Sequence, residues 1–203
     1  MLKAEFFERP AHFLAPDLIG KALTRRQNGN LLVGIITETE AYQGQEDLAC
    51  HARVGKTRRN QVMYGESGRA YVYFTYGMHW LLNVVADKVD IPAAVLIRAV
   101  FPIAGEEAMA INRPHLAYSS QWLNGPAKLT QAFALEGTFN GHDMHDSMSE
   151  LFLEEGLAVP EKMLKISPRV GLGNTPEPWL SLPWRWELNW QDAKNLIAEQ
   201  KKE

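Results

Sequence analysis

Gln27-Asn28-Gly29-Asn30, followed by Leu31-Leu32-Val33-Gly34-Ile35-Ile36-Thr37-Glu38-Thr39-Glu40-Ala41, sets the architecture of this chain. Asn-Gly between two strand-like runs is the strongest short-range sign of a tight hairpin, and Lys21–Arg26 supplies the other arm. Outward from that hairpin, Ala70–Thr75, Trp80–Ala86 and Ala93–Val100 read as strands rich in Val, Ile, Leu and aromatics, with shorter ones near Leu151–Leu153 and Trp184–Trp190. The helical patterns lie outside this block. Pro10–Ile19 reads as one or two short turns interrupted at Pro16. Gly105–Ile111 and Pro126–Leu135 read as short helices, the second with Pro in its first turn, and a polar helix closes the chain from Gln191. Strands follow strands without a βαβ rhythm. The expectation is a single α+β domain over residues 1–203, with a curved, largely antiparallel sheet and peripheral helices.

The composition fits that picture. A chain of 203 residues suits one domain, and 46% hydrophobic with 22% charged residues is enough to bury a core. No run of eighteen apolar residues is long enough to span a membrane, and Met1–Phe7 lacks the pattern of a cleaved leader. Cys50, the single cysteine, has no internal disulfide partner and fits a reducing compartment. The net charge of −3 is unevenly spread. Residues 51–70 set Arg53, Lys56, Arg58, Arg59 and Arg69 against one acid, Glu66, whereas residues 136–161 carry seven acids and no Lys or Arg. One basic face on an acidic protein is compatible with both a solvated surface and a polyanion-binding one.

Three segments carry the chemistry. Ala41–Gly68 is long, polar and basic, and a segment of that length without strand or helix signals is usually functional. Tyr71-Val72-Tyr73-Phe74-Thr75-Tyr76-Gly77-Met78 puts Tyr71 and Tyr73 on one face of a strand and Tyr76 at its end, beside a glycine that lets the chain bend. Two aromatics on one face and a third at a turn serve equally as core or as a stacking wall with a projecting wedge. Glu38 and Glu40 share a face where an apolar strand opens into the long loop, so either is a candidate general base or an ordinary solvated strand end. His51, Glu40 and Glu46 are conceivable metal ligands, but no zinc-binding spacing supports them. A Walker A loop and a G-x-S-x-G elbow are absent, which leaves nucleotide-dependent transfer and serine-type hydrolysis without their usual markers.

Taken together and in order, these segments resemble the alkyladenine (3-methyladenine) DNA glycosylases. The resemblance rests on Glu38-Thr39-Glu40-Ala41-Tyr42-x-Gly44-x-Glu46-Asp47, His51, Arg59-Asn60, Tyr71 to Met78 and Asn83. It continues through Val95-Leu96-Ile97-Arg98-Ala99, Gly125-Pro126-Ala127-Lys128-Leu129 and Arg169-Val170-Gly171-Leu172-Gly173, covering about Phe6 to about Trp190. Several ordered motifs are far more specific than any one of them.

The resemblance implies an enzyme that swings a damaged purine out of duplex DNA and hydrolyses its N-glycosidic bond, leaving an abasic site. It makes Glu40 the base for the attacking water, with Arg98 lining the same site. Tyr42 and Tyr73 become the walls around the flipped base, His51 meets its edge, and Asn83 excludes the exocyclic amine of guanine. Tyr76 becomes the wedge that fills the vacated space. Leu96 and Ile97 read as packing beneath the site. Arg53, Lys56, Arg58 and Arg59 are placed to meet the DNA backbone. Neither metal nor cofactor is implied, and a monomer bound to double-stranded DNA, with no membrane partner, is expected. The location would be cytoplasmic, on the nucleoid in a bacterium, or nuclear in a eukaryote. This chain departs from the better-known members at His79, where an aromatic is common, in a shorter Arg53–Asn60 loop, and in its negative charge. A non-catalytic binder of damaged DNA would keep the tyrosines without needing Glu40. A metal-dependent hydrolase would instead use His51, Glu40 and Glu46.

Overall fold

The computed structural model describes residues 1–200, and the last three residues of the C-terminal segment lie outside the described residues. Among the described residues, five α-helices and eight strands make one α+β domain: α1 Ala4–Phe7, α2 Ala11–Leu18, β1 Ala22–Gln27, β2 Asn30–Gln43, β3 Ala70–Thr75, β4 His79–Val85, β5 Ala93–Ala104, α3 Glu106–Asn112, α4 Pro126–Ala132, β6 Leu151–Glu154, β7 Lys165–Ser167, β8 Arg185–Glu187 and α5 Trp190–Gln200. Every strand pairing is antiparallel and the main order is β3-β4-β5-β2-β1-β6. The Asn28-Gly29 hairpin forms as its chemistry predicts. Gln27 pairs with Asn30, and Asn28 and Gly29 take φ of 49° and 80°, the left-handed pair that a two-residue turn requires.

β2 is the spine. Its fourteen residues pair with β5 along one edge, while the other edge serves β1 through residues 30–35 and β8 through residues 38–40. Residues 32–41 are buried throughout because both faces of the sheet are covered. On one face α2 and α4 close over Leu32, Ile36, Val72, Leu82, Val84, Val95 and Ile97. On the other, residues 44–68 fold back over Tyr71, Val85 and Ala94 and contribute Cys50, Ala52, Met63 and Tyr64. That second face holds the cavity described below.

Several local expectations need correction. Helix α2 runs through Pro16, because Leu14, Ala15 and Leu18 bury completely and tertiary packing overrides the lost N–H. The Ala15 carbonyl takes the Thr39 hydroxyl as a donor at 2.8 Å. Helix α4 stops at Ala132, three residues short of Leu135, where Ala134 turns the chain at a φ of 49°. The last strand is only Arg185–Glu187, since Trp190 already begins α5, and a short edge strand without a sequence signal, β7, pairs with it. Residues 44–68 are ordered by 3-10 turns at His51–Val54 and Gln61–Tyr64. The Asn60 amide ties those turns together by donating to the carbonyls of His51 and Gly55. Among the described residues no helix is long and apolar enough to cross a membrane.

Candidate active site

Strand register carries one row of side chains across the second face. Tyr71 on β3 lies opposite Asn83 on β4, Asn83 opposite Leu96 on β5, Leu96 opposite Glu40 on β2, and Glu40 opposite Arg185 on β8. Directly paired residues share a face. The two-residue period adds Tyr73, Tyr42 and Glu38 to the same side. With the loop folded over it, this surface encloses a cavity of about 580 Å³ walled by Tyr42, Tyr71, Tyr73, His51, Asn83 and Arg98. That lies within the range of about 300–1,000 Å³ usual for small-molecule sites.

Two register shifts deliver Arg98 to this cavity. Ile36 pairs with Val100, Glu38 with Ala99 and Thr39 with Ile97, so Thr37 on β2 and Arg98 on β5 are left without partners. Bulges of this kind redirect a side chain. Arg98 lands between the two carboxylates: its Nε donates to Glu38 Oε1 at 2.6 Å, and its Nη1 lies 3.3 Å from Glu40 Oε2. Ile97, one residue earlier, points into the core as expected, whereas Leu96 is buried yet also lines the cavity.

Glu40 has no solvent-accessible surface, and its carboxylate stands just behind the cavity wall formed by Tyr42, Arg98 and Val170. The Tyr42 hydroxyl donates to Glu40 Oε2 at 2.9 Å and the Val170 amide donates to Oε1 at 2.7 Å. Burial raises its pKa above the ordinary carboxylate value, against the lowering effects of Arg98 and of these two hydrogen bonds. Burial tends to lower the Arg98 pKa, but Glu40 and Glu38 outweigh it and raise the value. Each of the two side chains favours the charged form of the other.

The aromatic walls are coupled to one another. The Tyr71 and Tyr73 rings stand 5.3 Å apart, and His51 meets Tyr73 edge-on at 4.6 Å. His51 Nδ1 lies 2.9 Å from the Tyr71 hydroxyl. Burial, then the nearby Arg59 and Arg53, push the His51 pKa down to about 4, so the imidazole is neutral at physiological pH. Burial pushes Tyr73 up to about 12 and raises Tyr42 and Tyr71 as well, so these phenols stay protonated. Asn83 donates its amide to the Tyr71 carbonyl at 3.0 Å while lining the cavity.

At the rim, Tyr76 is 83% exposed at the tip of the β3–β4 hairpin. Its φ of 52° is left-handed, an outlier for a bulky side chain and of the kind that collects at functional positions. Arg53, Lys56, Arg58 and Arg59 are all exposed. Of these, Arg59 donates to the Phe74 carbonyl at 3.1 Å and lies 5.3 Å from the Tyr73 ring centre, so it and Arg53 border the cavity. Lys56 lies over Tyr64 at 5.3 Å. The basic and acidic stretches of the sequence meet where Arg69 pairs with Asp143 at 3.3 Å.

Two participants, Arg169 and Asp47, carry no chemical role in the sequence motifs alone. Arg169 and Asp47 form a fully buried ion pair at 2.6 and 3.0 Å. The guanidinium lies 4.8 Å from the Tyr42 ring centre and the next residue, Val170, presents its amide to Glu40. Glu38, a candidate base on its strand position, is instead caught between Arg98 and Arg185 at 2.6 and 2.5 Å. The signal for Glu38 was its shared face with Glu40. The Asp47–Arg169 pairing spans 122 residues and leaves no local trace. Among the described residues no group of three His, Cys, Asp or Glu side chains is arranged to hold a metal ion, and His51, Glu40 and Glu46 are not brought together as one.

Comparison with known proteins supplies independent findings. Residues 5–192 match the family model described as Methylpurine-DNA glycosylase (MPG). A protein of Methanocella arvoryzae is 44% identical over 92% of this chain and 91% of its own length. One of Carboxydothermus hydrogenoformans is 42% identical over 93% and 95%, and one of Chlorobium phaeobacteroides 44% over 89% of each. All three carry the name "Putative 3-methyladenine DNA glycosylase".

Proposed function

We infer the reaction from the premise that this chain belongs to the methylpurine-DNA glycosylase family. It is a DNA-3-methyladenine glycosylase, an enzyme of DNA repair. We propose that it swings an alkylated or deaminated purine from duplex DNA into the cavity and hydrolyses the glycosidic bond with a Glu40-activated water. The observation that carries this reading is the Glu40 carboxylate held by the Tyr42 hydroxyl directly behind an aromatic-walled cavity.

In the proposed step the bond from C1′ to the purine nitrogen breaks, and its electron pair leaves with the base. The oxygen of water bonds to C1′, and the proton it loses passes to Glu40. The developing oxocarbenium charge is favoured by a buried carboxylate. A carboxylate offers about four acceptor sites; the Val170 amide and the Tyr42 hydroxyl fill two, and Arg98 lies 3.3 Å away as an ion-pair partner. A remaining site is the one the attacking water would use once admitted behind the wall. Arg98 keeps an edge on the cavity and can orient that water or a neighbouring phosphate. Tyr42 and Tyr73 stack on the base with His51 at its edge, Asn83 crowds the purine 2-position, and Tyr76 fills the gap in the duplex. Arg53, Lys56, Arg58 and Arg59 meet phosphates. No lysine lines the cavity among the described residues, in keeping with simple hydrolysis that leaves the strand intact. Cavity, walls and wedge all come from one chain, so a monomer suffices.

The test is base release from duplexes carrying one hypoxanthine or one 3-methyladenine, with and without EDTA. Release indifferent to EDTA is expected. Tight binding without release would leave a DNA binder, and loss of release with EDTA would point to metal chemistry.

A further inference from the structure

We propose that Glu38 is a positioning residue that draws Arg98 away from Glu40 and thereby keeps Glu40 basic enough to take the water's proton. This rests on the glycosylase reading above. Arg98 stands between two carboxylates but does not treat them alike. Its Nε binds Glu38 at 2.6 Å, whereas Glu40 receives only Nη1 at 3.3 Å. The bulges at Thr37 and Arg98 create this asymmetry by setting Glu38 against Ala99 instead of Arg98. Arg185 deepens it. Although its backbone lies directly across from Glu40, its side chain turns to Glu38 at 2.5 Å, to the Ser167 hydroxyl at 3.0 Å and to Glu187 at 2.9 Å. Glu38 thus takes the Nε of both arginines and leaves Glu40 only the Nη1 edge of Arg98.

The remaining polar surroundings of Glu40 do not substitute for it. Tyr42 on β2 and Tyr73 on β3 are neutral phenols, the Val170 amide is a fixed donor, and Arg169 behind Tyr42 is spent on Asp47. A close, full-strength arginine contact depresses a carboxyl pKa by about 1–3 units. A carboxylate held that low accepts protons poorly in the transition state. Glu38 also acts directly, because a second negative charge nearby raises the Glu40 pKa. Removing Glu38 therefore has one sign by both routes: Glu40 becomes more acidic and a weaker base.

The experiment is single-turnover release from a duplex carrying one 7-methylguanine, measured across pH for the unaltered protein, Glu38→Gln and Glu38→Ala. That base is already cationic and leaves without protonation, so the acid side of the profile reports the carboxylate. Release needs Glu40 ionised, so the rate climbs as pH rises through its pKa. In both variants the climb should move to lower pH by roughly half a unit or more, and the plateau should fall by about tenfold. Duplex affinity should stay within about threefold, since Glu38 is not placed to touch substrate. A climb that stays in place or moves to higher pH overturns the proposal, as does a plateau within about twofold of the unaltered protein. Glu38→Gln keeps the side-chain shape, so a lowered thermal midpoint in Glu38→Ala alone does not obscure the reading. If the unaltered protein releases no base from any alkylated duplex, it is the glycosylase reading that fails instead.

Discussion

The Tyr42 hydroxyl and the Glu40 carboxylate, two residues apart on one strand, are joined by a hydrogen bond of 2.9 Å. The wall that a base would stack on and the group that would act beside its sugar therefore share one rigid mount. A base clamped on the ring is held at a fixed distance from the carboxylate, which is the orientation that proximity catalysis requires.

Replacing Tyr42 by Phe keeps the ring and deletes the donor. The bond it removes favours the ionised form of Glu40, so the Glu40 pKa should rise and the acid limb of the release profile should move to higher pH. The plateau should fall by roughly threefold to tenfold with affinity for a lesion duplex little changed. A limb moving to lower pH would contradict this account of the pair.

Glu40→Gln should retain binding to damaged duplex and lose base release by orders of magnitude; near-wild-type turnover would falsify the assignment of the base. The same change should raise the thermal midpoint at neutral pH. Burial raises the folded pKa of Glu40, so this group favours the fold below its unfolded pKa and loses that contribution as pH rises through the folded value. In the ionised form that the proposed base needs, the carboxylate weakens the fold, and a neutral amide does not. A lower midpoint for Glu40→Gln than for the parent would refute this.

At the hairpin tip, stability and function should part company. Tyr76 holds a left-handed φ of 52°, and glycine adopts that conformation without the steric cost, so Tyr76→Gly should stabilise the protein by about 1 kcal/mol. Affinity for a lesion duplex should nonetheless fall, as it should for Tyr76→Ala. Unchanged affinity in both variants would make Tyr76 an ordinary surface residue.

Asn83→Ser shortens a cavity-lining side chain and removes its hydrogen bond to the Tyr71 carbonyl. A stability loss of about 1 kcal/mol is expected, together with measurable release of guanine from G·T pairs. Guanine release that stays undetectable would mean that another group guards the purine 2-position.

Features encoded by neighbours in the chain were readable in advance. Asn28-Gly29 carried its own turn geometry, β3 ends where its residues predicted, and simple alternation put Glu38 with Glu40 and Tyr71 with Tyr73. Features set by distant partners were not readable. Nothing local to Pro16 announces that α2 will be held together by packing and by Thr39 on another strand. The shift at Arg98 depends on how two long strands twist against each other, and the burial of Glu40 depends on segments more than a hundred residues away. A strand that looked as if it ended in water ends inside the protein, because Val170 and β8 arrive to cover it.

β2 is hydrogen-bonded along both edges where it carries Glu38 and Glu40, to β5 on one side and β8 on the other. Backbone amides in such a strand exchange with solvent only when large parts of a molecule unfold together, whereas a single-sided tip opens with little disturbance elsewhere. A protein that must inspect many intact nucleotides for each faulty one gains from that division. On the proposed reading, the gauge against which each candidate is measured keeps its calibration through every minor fluctuation, while Tyr76, the proposed probe, stands out in the open.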